Sequence, residues 1–123
     1  MKPILIVDDA ATVRMYHRSI LEAAGYTVEE AVNGIEALEK SVQRAFALYV
    51  VDINMPKLDG YGFLRELRAQ ETFQGPAIMI STEAELTDHQ RAYEAGANAY
   101  LIKPVRPEQL LIYAKLLSGG ARL

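Results

Sequence analysis

Four short apolar runs in this chain each end in acidic, hydroxyl or basic residues. The runs cover residues 4–7, 48–51, 77–80 and 99–102. The polar residues that follow them are Asp8 and Asp9, Asp52, Ser81 and Lys103. Short apolar runs of this kind are typical of buried parallel strands. Because the carboxyl ends of parallel strands meet at one edge of a sheet, we expect all five polar side chains to collect there.

Strand and helix patterns alternate along the whole chain. The strand candidates are residues 3–8, 26–31, 47–52, 76–81 and 98–103. The second candidate carries Thr27, Glu29 and Glu30 and is therefore expected at an edge of the sheet. Strict alternation predicts an α/β fold, with a parallel sheet, helices on both of its faces and right-handed crossovers.

The segments between the strands show apolar residues at helical spacing. The expected apolar stripes comprise Val13, Tyr16, Ile20 and Leu21; Ile35, Leu38 and Val42; Phe63, Leu64 and Leu67; Leu86, Ala92, Tyr93 and Ala95; and Leu110, Leu111, Ala114 and Leu117. His17 and His89 are expected to face solvent, without a role.

Glycine and asparagine mark the ends of several of these segments. Gly25, Gly96 and Gly119 each follow a helical stretch, where a left-handed residue is favoured. Asn33 and Gly34 are typical of a turn that opens the second helix. Asp59 before Gly60 also indicates a turn, so it is left outside the acidic cluster.

Length and composition limit the class of protein. The 123 residues suit one domain, 1–123, and because the chain ends just past the fifth helix no output domain is expected. The net charge of −3 argues against a nucleic-acid partner. Cysteine is absent, which excludes disulfides and thiolate chemistry. Neither a secretory signal nor a membrane span is visible, so a cytoplasmic monomer without a membrane partner is expected.

The apposed acids require a countercharge. Carboxylates a few ångströms apart repel by roughly 4 kcal/mol per pair at an effective dielectric near 20, so Asp8, Asp9 and Asp52 need protonation or a cation. Oxygen ligands without a nearby histidine favour Mg²⁺ over zinc. An open coordination position could then receive a phosphoryl oxygen.

At this point the motifs resemble a known family, the receiver domains of two-component response regulators, and in particular the stand-alone chemotaxis regulators of the CheY type. The matching motifs are Ile-Val-Asp-Asp at 6–9, Val-Asp-Ile-Asn-Met-Pro at 51–56, Asp59-Gly60, Ser81 and Lys103-Pro104. The resemblance implies a flavodoxin-like (βα)5 sheet of strand order 2-1-3-4-5.

The resemblance also implies a role for each site residue. Asp52 is the expected phosphoacceptor, which takes a phosphoryl group from a phosphohistidine, and Lys103 is expected to pair with the carboxylate or the phosphoryl oxygens. Asp9, Asp52 and the backbone carbonyl of Asn54 match the Mg²⁺ ligands, with Asp8 acting mostly through water. Ser81 matches the switch hydroxyl, and Tyr100 the aromatic that turns inward behind it. The Lys103–Pro104 bond is the candidate cis peptide.

Three positions are expected to tune the lifetime of the phosphate. Asn54 and Glu83 match the pairing found in chemotaxis relatives. Thr82 departs from the small Ala or Gly that is frequent in the family, so its bulk is expected to hinder access to the phosphoryl group.

The expected function is a phosphorylation-dependent signalling switch, rather than an enzyme, that assists only its own phosphorylation and dephosphorylation. The partners implied are a histidine kinase or phosphotransfer protein and a downstream target. The target is expected at the fourth helix, fifth strand and fifth helix, including Arg91, Tyr93, Tyr100 and Tyr113. Chemotaxis is the leading setting, while a phosphorelay intermediate, a phosphate sink or a regulator of another enzyme stay open.

Other interpretations of the same residues stay open at this point. Single acids after strands often cap helices, Ser81 and Thr82 could form a cap, and Tyr100 could be an ordinary strand aromatic. A flavin carrier could share the fold, but the loop at 8–12 lacks a phosphate cradle. A phosphohydrolase of the haloacid dehalogenase type would need an Asp-x-Asp motif, which is not met. A receiver-like scaffold that works without phosphorylation is the third alternative.

Overall fold

The computed structural model of the chain describes residues 2–70 and 74–118. Five strands alternate with five helices, as the sequence predicts. The strands are β1 (Ile4–Val7), β2 (Val28–Ala31), β3 (Leu48–Asp52), β4 (Ala77–Ser81) and β5 (Ala99–Ile102). The helices are α1 (Ala11–Ala23), α2 (Gly34–Gln43), α3 (Gly60–Arg68), α4 (Leu86–Ala95) and α5 (Pro107–Leu117).

The five strands form one parallel sheet of order β2-β1-β3-β4-β5. This topology confirms the predicted flavodoxin-like fold, including the edge position of the polar β2. The order reverses between β1 and β3, which leave their carboxyl ends side by side. Open α/β sheets form their ligand sites at this point.

Two apolar layers cover the two faces of the sheet, because successive side chains of a strand point to opposite sides. Leu5 and Val7 pack in a layer with residues of α2, α3 and α4, including Phe63. Ile4 and Ile6 pack in the other layer with Leu21 of α1 and residues of α5. Burial of each such side chain contributes about 1.5–3 kcal/mol. The layers hold the strand ends, and hence the polar side chains, in fixed register.

The apolar stripes were predicted correctly for α3 and largely for α5, but only in part for the other helices, where the predicted Leu21, Ala92 and Ala95 are buried. Phe63, Leu64 and Leu67 are buried, as are Leu110 and Ala114. By contrast, several large apolar side chains expected in the core are exposed: Tyr16, Ile35, Val42, Leu86 and Tyr93.

Small residues explain the errors in α2 and α4. The buried positions of α2 are Gly34 and Ala37, and those of α4 are Ala92 and Ala95. Short side chains let a helix approach the sheet closely, so the buried face is centred on them. The larger neighbours at adjacent positions are then turned towards solvent.

His17 was expected to face solvent, and this prediction is wrong. The side chain is only 3% exposed and lies on the inner face of α1 with Leu21. Burial, together with the positive charge of Lys103, lowers the pKa of His17 to about 4, so the imidazole is neutral near pH 7. It therefore behaves as a core residue.

The predicted turns have the expected local structure. Asn33 caps α2 by accepting a hydrogen bond from the Glu36 N–H, 2.9 Å away. Gly25 and Gly96 adopt φ values of 98° and 114°, the left-handed region that glycine reaches without strain. The predicted cap at Gly119 lies outside the described residues. No helix within residues 2–70 and 74–118 is long and apolar enough to cross a bilayer.

Candidate functional site

Strand register brings the predicted site residues to one edge of the sheet. Val7 of β1 is aligned with Val51 of β3, so Asp8 and Asp52 leave adjacent strands at the same level. Asp52 is aligned with Ile80, which places Ser81 one residue further along β4. Ser81 is aligned with Ile102, and Lys103 comes next. The three strand pairings therefore collect acid, hydroxyl and amine at one point.

Three carboxylates lie close together at this edge. Asp8, Asp9 and Asp52 each offer an oxygen, and these oxygens lie within 4.8 Å of one another. Asp8 and Asp52 are only 3% and 5% exposed, whereas Asp9 is exposed. Burial raises the pKa of Asp8, and the negative charge of Asp52 raises it further. Burial also raises the pKa of Asp52, against the lowering effect of Lys103. Keeping these carboxylates ionised and close together therefore costs electrostatic free energy.

Lys103 supplies a positive charge inside the cluster. Its Nζ lies 2.6 Å from Oδ1 of Asp52 and 3.9 Å from Oδ2 of Asp8. The Lys103 N–H donates to the Ser81 carbonyl, 2.8 Å away, which ties the start of the next loop to β4. The Lys103–Pro104 peptide bond is cis. The ammonium group therefore stands beside Asp52 and further from Asp8.

Ser81, Glu83 and Tyr100 are linked by two hydrogen bonds. Ser81 is fully buried, and its Oγ accepts a hydrogen bond of 3.0 Å from the Glu83 N–H. The Tyr100 hydroxyl donates to the Glu83 carbonyl over 2.7 Å, and the ring is only 7% exposed. Burial raises the pKa of Tyr100, so the hydroxyl stays protonated and can donate. Movement of the Ser81 hydroxyl would therefore be felt at Tyr100 through one backbone segment.

The remaining predicted residues lie around this cluster, and a backbone hydrogen bond from Asn54 acts to lower the pKa of Asp52. Asn54, Thr82 and Glu83 are exposed. Asp59 caps α3 by accepting from the Gly62 N–H over 2.8 Å, which agrees with its exclusion from the acidic cluster. His89 was expected to face solvent but is partly buried, with its ring centroid 4.1 Å from that of Tyr100.

Two further residues support the site in ways that the sequence analysis did not predict. At Gly60, a Cβ would lie 2.7 Å from the carbonyl oxygen of Asp52, so glycine permits the close approach of α3 to β3. Arg14 of α1 donates a hydrogen bond of 2.7 Å to the carbonyl oxygen of Asp8. The available signal was weak: Arg14 and Arg18 stand four residues apart, and Glu30 is their shared acid on an edge strand.

The donor set of the cluster fits Mg²⁺. Within the described ranges 2–70 and 74–118, the one group of three or more possible metal-ligating side chains is Asp8, Asp9 and Asp52, all of them carboxylates. Magnesium prefers such hard oxygen ligands and is commonly held by one or two carboxylates, with water in the other positions. The raised pKa values of Asp8 and Asp52 agree with this, because a cation would relieve the crowding of charge.

Fold and site together define a phosphoacceptor-type receiver domain, and comparison with known proteins gives the same class. The family model for the response regulator receiver domain matches residues 4–115. The chain therefore belongs to the receiver domain family of two-component response regulators.

The relatives include regulators of different kinds. The chain is 34% identical over 114 residues to the transcriptional regulatory protein ResD of Bacillus subtilis, covering 93% of this chain and 47% of ResD. It thus spans about half the length of the curated relatives that it matches. The chemotaxis response regulator CheY4 of Vibrio cholerae is 35% identical with a TM-score of 0.88, over 95% of this chain and 98% of that chain.

A second similar structure contains a metal ion. The receiver domain of the sensor histidine kinase PA1611 from Pseudomonas aeruginosa has magnesium coordinated in its active site cleft. It is 30% identical with a TM-score of 0.88, and the match covers 97% of this chain and 98% of that one.

Proposed function

We propose that this chain is a phosphorylation-dependent switch whose Asp52 accepts a phosphoryl group from a histidine kinase or a phosphotransfer protein. The observation that carries the proposal is the position of Asp52. Its carboxylate is buried, lies 2.6 Å from the Lys103 ammonium and belongs to a cluster of three acids. No other described acid combines these features.

The chemistry follows from the positions of the side chains. A carboxylate oxygen of Asp52 attacks the phosphorus of a phosphohistidine, the phosphorus–nitrogen bond breaks, and the imidazole leaves with its electron pair. Lys103 stabilises negative charge on the transferred oxygens from one side. Phosphoryl transfer depends mainly on such positioning and charge neutralisation.

Asp9, Asp52 and the Asn54 carbonyl are the proposed ligands of Mg²⁺, with Asp8 contributing mostly through water. Bound Mg²⁺ would neutralise charge on the acids and on the phosphoryl oxygens. Support comes from the all-oxygen donor set and from the magnesium present in the similar receiver domain of PA1611.

The proposed output is a change in affinity at the surface formed by α4, β5 and α5. The added phosphoryl charge draws the Ser81 hydroxyl towards it, which changes the hydrogen bond that Ser81 accepts from Glu83. Tyr100 shares that segment through its bond to the Glu83 carbonyl. Coupling of this kind amounts to about 1–3 kcal/mol. Thr82, Asn54 and Glu83 are the proposed determinants of phosphate lifetime.

Chemotaxis is the proposed setting, because CheY4 of Vibrio cholerae matches this chain over nearly the whole length of both. The chain also matches about half of ResD, which is a transcriptional regulatory protein. A relay or regulatory role is therefore the second candidate. In either setting the chemistry at Asp52 is the same.

The test is phosphorylation of the intact protein by a small acyl-phosphate donor, followed by mass spectrometry. We expect a single phosphate adduct with Mg²⁺, little adduct with a chelator, and none in Asp52→Asn. Asp59→Asn is the matched control, because Asn caps a helix as well as Asp and residue 59 lies outside the cluster. An adduct of equal yield in Asp52→Asn would move the acceptor elsewhere.

A further inference from the structure

Arg14 joins the acidic loop to the edge of the sheet. Its Nη1 donates to the carbonyl oxygen of Asp8, and its Nε donates to Oε1 of Glu30 on β2, each over 2.7 Å. The side chain is only 14% exposed. A guanidinium group presents its donors in one rigid plane, so it can hold two acceptors in a fixed relation. Arg14 therefore ties the Asp8 carbonyl to β2, in addition to the backbone hydrogen bond of 3.1 Å from the Asp8 N–H to the Ala31 carbonyl.

Glu30 is a firm anchor for this contact. Its second oxygen, Oε2, accepts from Nη1 of Arg18 over 2.7 Å, and Arg18 is held in turn by Glu22 at 2.9 Å. The hydrogen bonds from Arg18 and Arg14 lower the pKa of Glu30, so the carboxylate remains ionised. Arg14 and Arg18 thus share one anchor, but only Arg14 contacts the acidic loop.

The carbonyl that Arg14 holds belongs to the peptide unit between Asp8 and Asp9. This unit is planar, so fixing its oxygen also fixes the N–H of Asp9. The Asp8 side chain has its own restraint, since its Oδ1 accepts from the Ala10 N–H over 2.9 Å. Over residues 2–70 and 74–118, by contrast, nothing forms a hydrogen bond or ion pair with the Asp9 carboxylate. The direction of Asp9 therefore depends on its backbone.

We propose that Arg14 is a positioning residue for the metal site: by holding the Asp8–Asp9 peptide against β2, it directs the Asp9 carboxylate towards the shared cation position. The inference deepens the proposed function and rests on its Mg²⁺ site. Arg14 does not contact the metal.

The charge of Arg14 and its positioning role predict opposite effects on Mg²⁺ affinity when the side chain is removed. Loss of a positive charge near a cation site would tighten Mg²⁺ binding if only the electric field mattered. Loss of the restraint on Asp9 would weaken it. Supporting residues of metal sites typically change affinity by about tenfold or more when removed, so we expect the dissociation constant of Arg14→Gln to rise by about tenfold.

Arg18→Gln is the matched control. It removes the same charge from the same helix and from the same partner, Glu30, but leaves the contact between Arg14 and Asp8 in place. We expect its affinity for Mg²⁺ to stay within about twofold of that of the wild type, as is usual for partly exposed ion pairs.

The experiment is an NMR titration of the full chain with Mg²⁺, together with amide hydrogen exchange in the absence of metal. We expect weaker binding in Arg14→Gln, together with faster exchange at Ala10, whose N–H donates to the Asp8 carboxylate, and neither change in Arg18→Gln. Unchanged or tighter binding in Arg14→Gln, or an equal loss in Arg18→Gln, would overturn the inference.

A second variant covers the case in which Arg14→Gln does not fold. Arg14→Lys keeps the charge but lacks the planar fork, so we expect weaker binding than in the wild type; wild-type affinity would overturn the inference. If the wild type itself binds no Mg²⁺, the proposed metal site fails together with this inference. Failure of the inference alone requires a wild type that does bind.

Discussion

Asp52 and Lys103 form a pair in which two opposing effects act on one carboxylate. Burial raises the pKa of Asp52, while the Lys103 ammonium at 2.6 Å lowers it, and burial has the larger effect. Such a balance keeps the acid desolvated and reactive while supplying a countercharge for the product. Asp8 lies further from the ammonium, and one of its oxygens is taken by the Ala10 N–H. These contacts favour Asp52 over Asp8 as the nucleophile.

The buried His17 is expected to make the free energy of unfolding depend on pH. Its pKa falls from 6.5 to about 4 on burial, so below pH 6.5 the unfolded chain binds a proton that the folded chain does not. Stability is therefore lost as the pH falls from 6.5 towards 4, by on the order of 3 kcal/mol from this residue. We expect His17→Gln to remove this part of the loss in urea unfolding measured across that range.

His89→Gln is the control for this measurement, because it removes the other histidine of the chain and leaves His17 in place. The variant should keep the wild-type dependence on pH. If His17→Gln loses as much stability between pH 6.5 and pH 4 as the wild type does, then His17 is not the buried titrating group.

At the scale of elements, α4 is held by two ring contacts. The His89 and Tyr100 ring centroids lie 4.1 Å apart, which joins α4 to β5. The Arg91 guanidinium lies 4.2 Å from the centroid of the Tyr61 ring, which joins α4 to α3. A cation over an aromatic face contributes about 0.5–1 kcal/mol at exposed sites. The helix proposed to carry the output is thus attached to both of its neighbours by side-chain contacts.

The Tyr100 hydroxyl is expected to stabilise the segment between β4 and α4. Tyr100→Phe keeps the ring against His89 but removes the hydrogen bond to the Glu83 carbonyl. We expect a loss of about 1 kcal/mol in the free energy of unfolding and faster amide exchange near Glu83. Tyr93→Phe is the control, since it removes a tyrosine hydroxyl from the preceding helix, α4, where the side chain is 50% exposed.

The control should change the free energy of unfolding by less than about 0.5 kcal/mol, as is usual for surface substitutions. Equal effects of Tyr100→Phe and Tyr93→Phe would show that the bond to Glu83 does not hold the segment.

The existence and order of the elements could be predicted from the sequence, but the buried faces of α1, α2 and α4 could be predicted only in part. Strand candidates were visible because apolar runs and polar ends coincide, as at Val51 and Asp52. On α2 the buried Ala37 was missed because a small side chain carries little apolar signal, and on α4 the exposed Leu86 and Tyr93 were wrongly added to the buried Ala92. The burial of His17 was missed for a related reason: histidine is ionisable, so it adds no apolar signal to the sequence pattern even where it is buried.

At the scale of the whole molecule, the order of the strands brings the predicted site residues together. That order is a property of the fold and does not follow from any local sequence pattern. Asp8, Asp52, Ser81 and Lys103 are far apart in sequence, and only the pairing of β1 with β3, of β3 with β4 and of β4 with β5 makes them neighbours. Contacts made by long side chains across elements, such as that of Arg14 with Asp8, could not be predicted. They depend on rotamers and helix orientation, which periodicity does not specify.

The most direct measurement identifies the residue that carries the phosphoryl group. After phosphorylation with a small acyl-phosphate donor and Mg²⁺, borohydride reduces an aspartyl phosphate to homoserine, and peptide mass spectrometry locates that residue. We expect homoserine in place of Asp52 in the wild type, and at neither Asp8 nor Asp9. Homoserine at another acid, or no reduction product in a protein that binds Mg²⁺, would contradict the assignment of Asp52 as the phosphoacceptor.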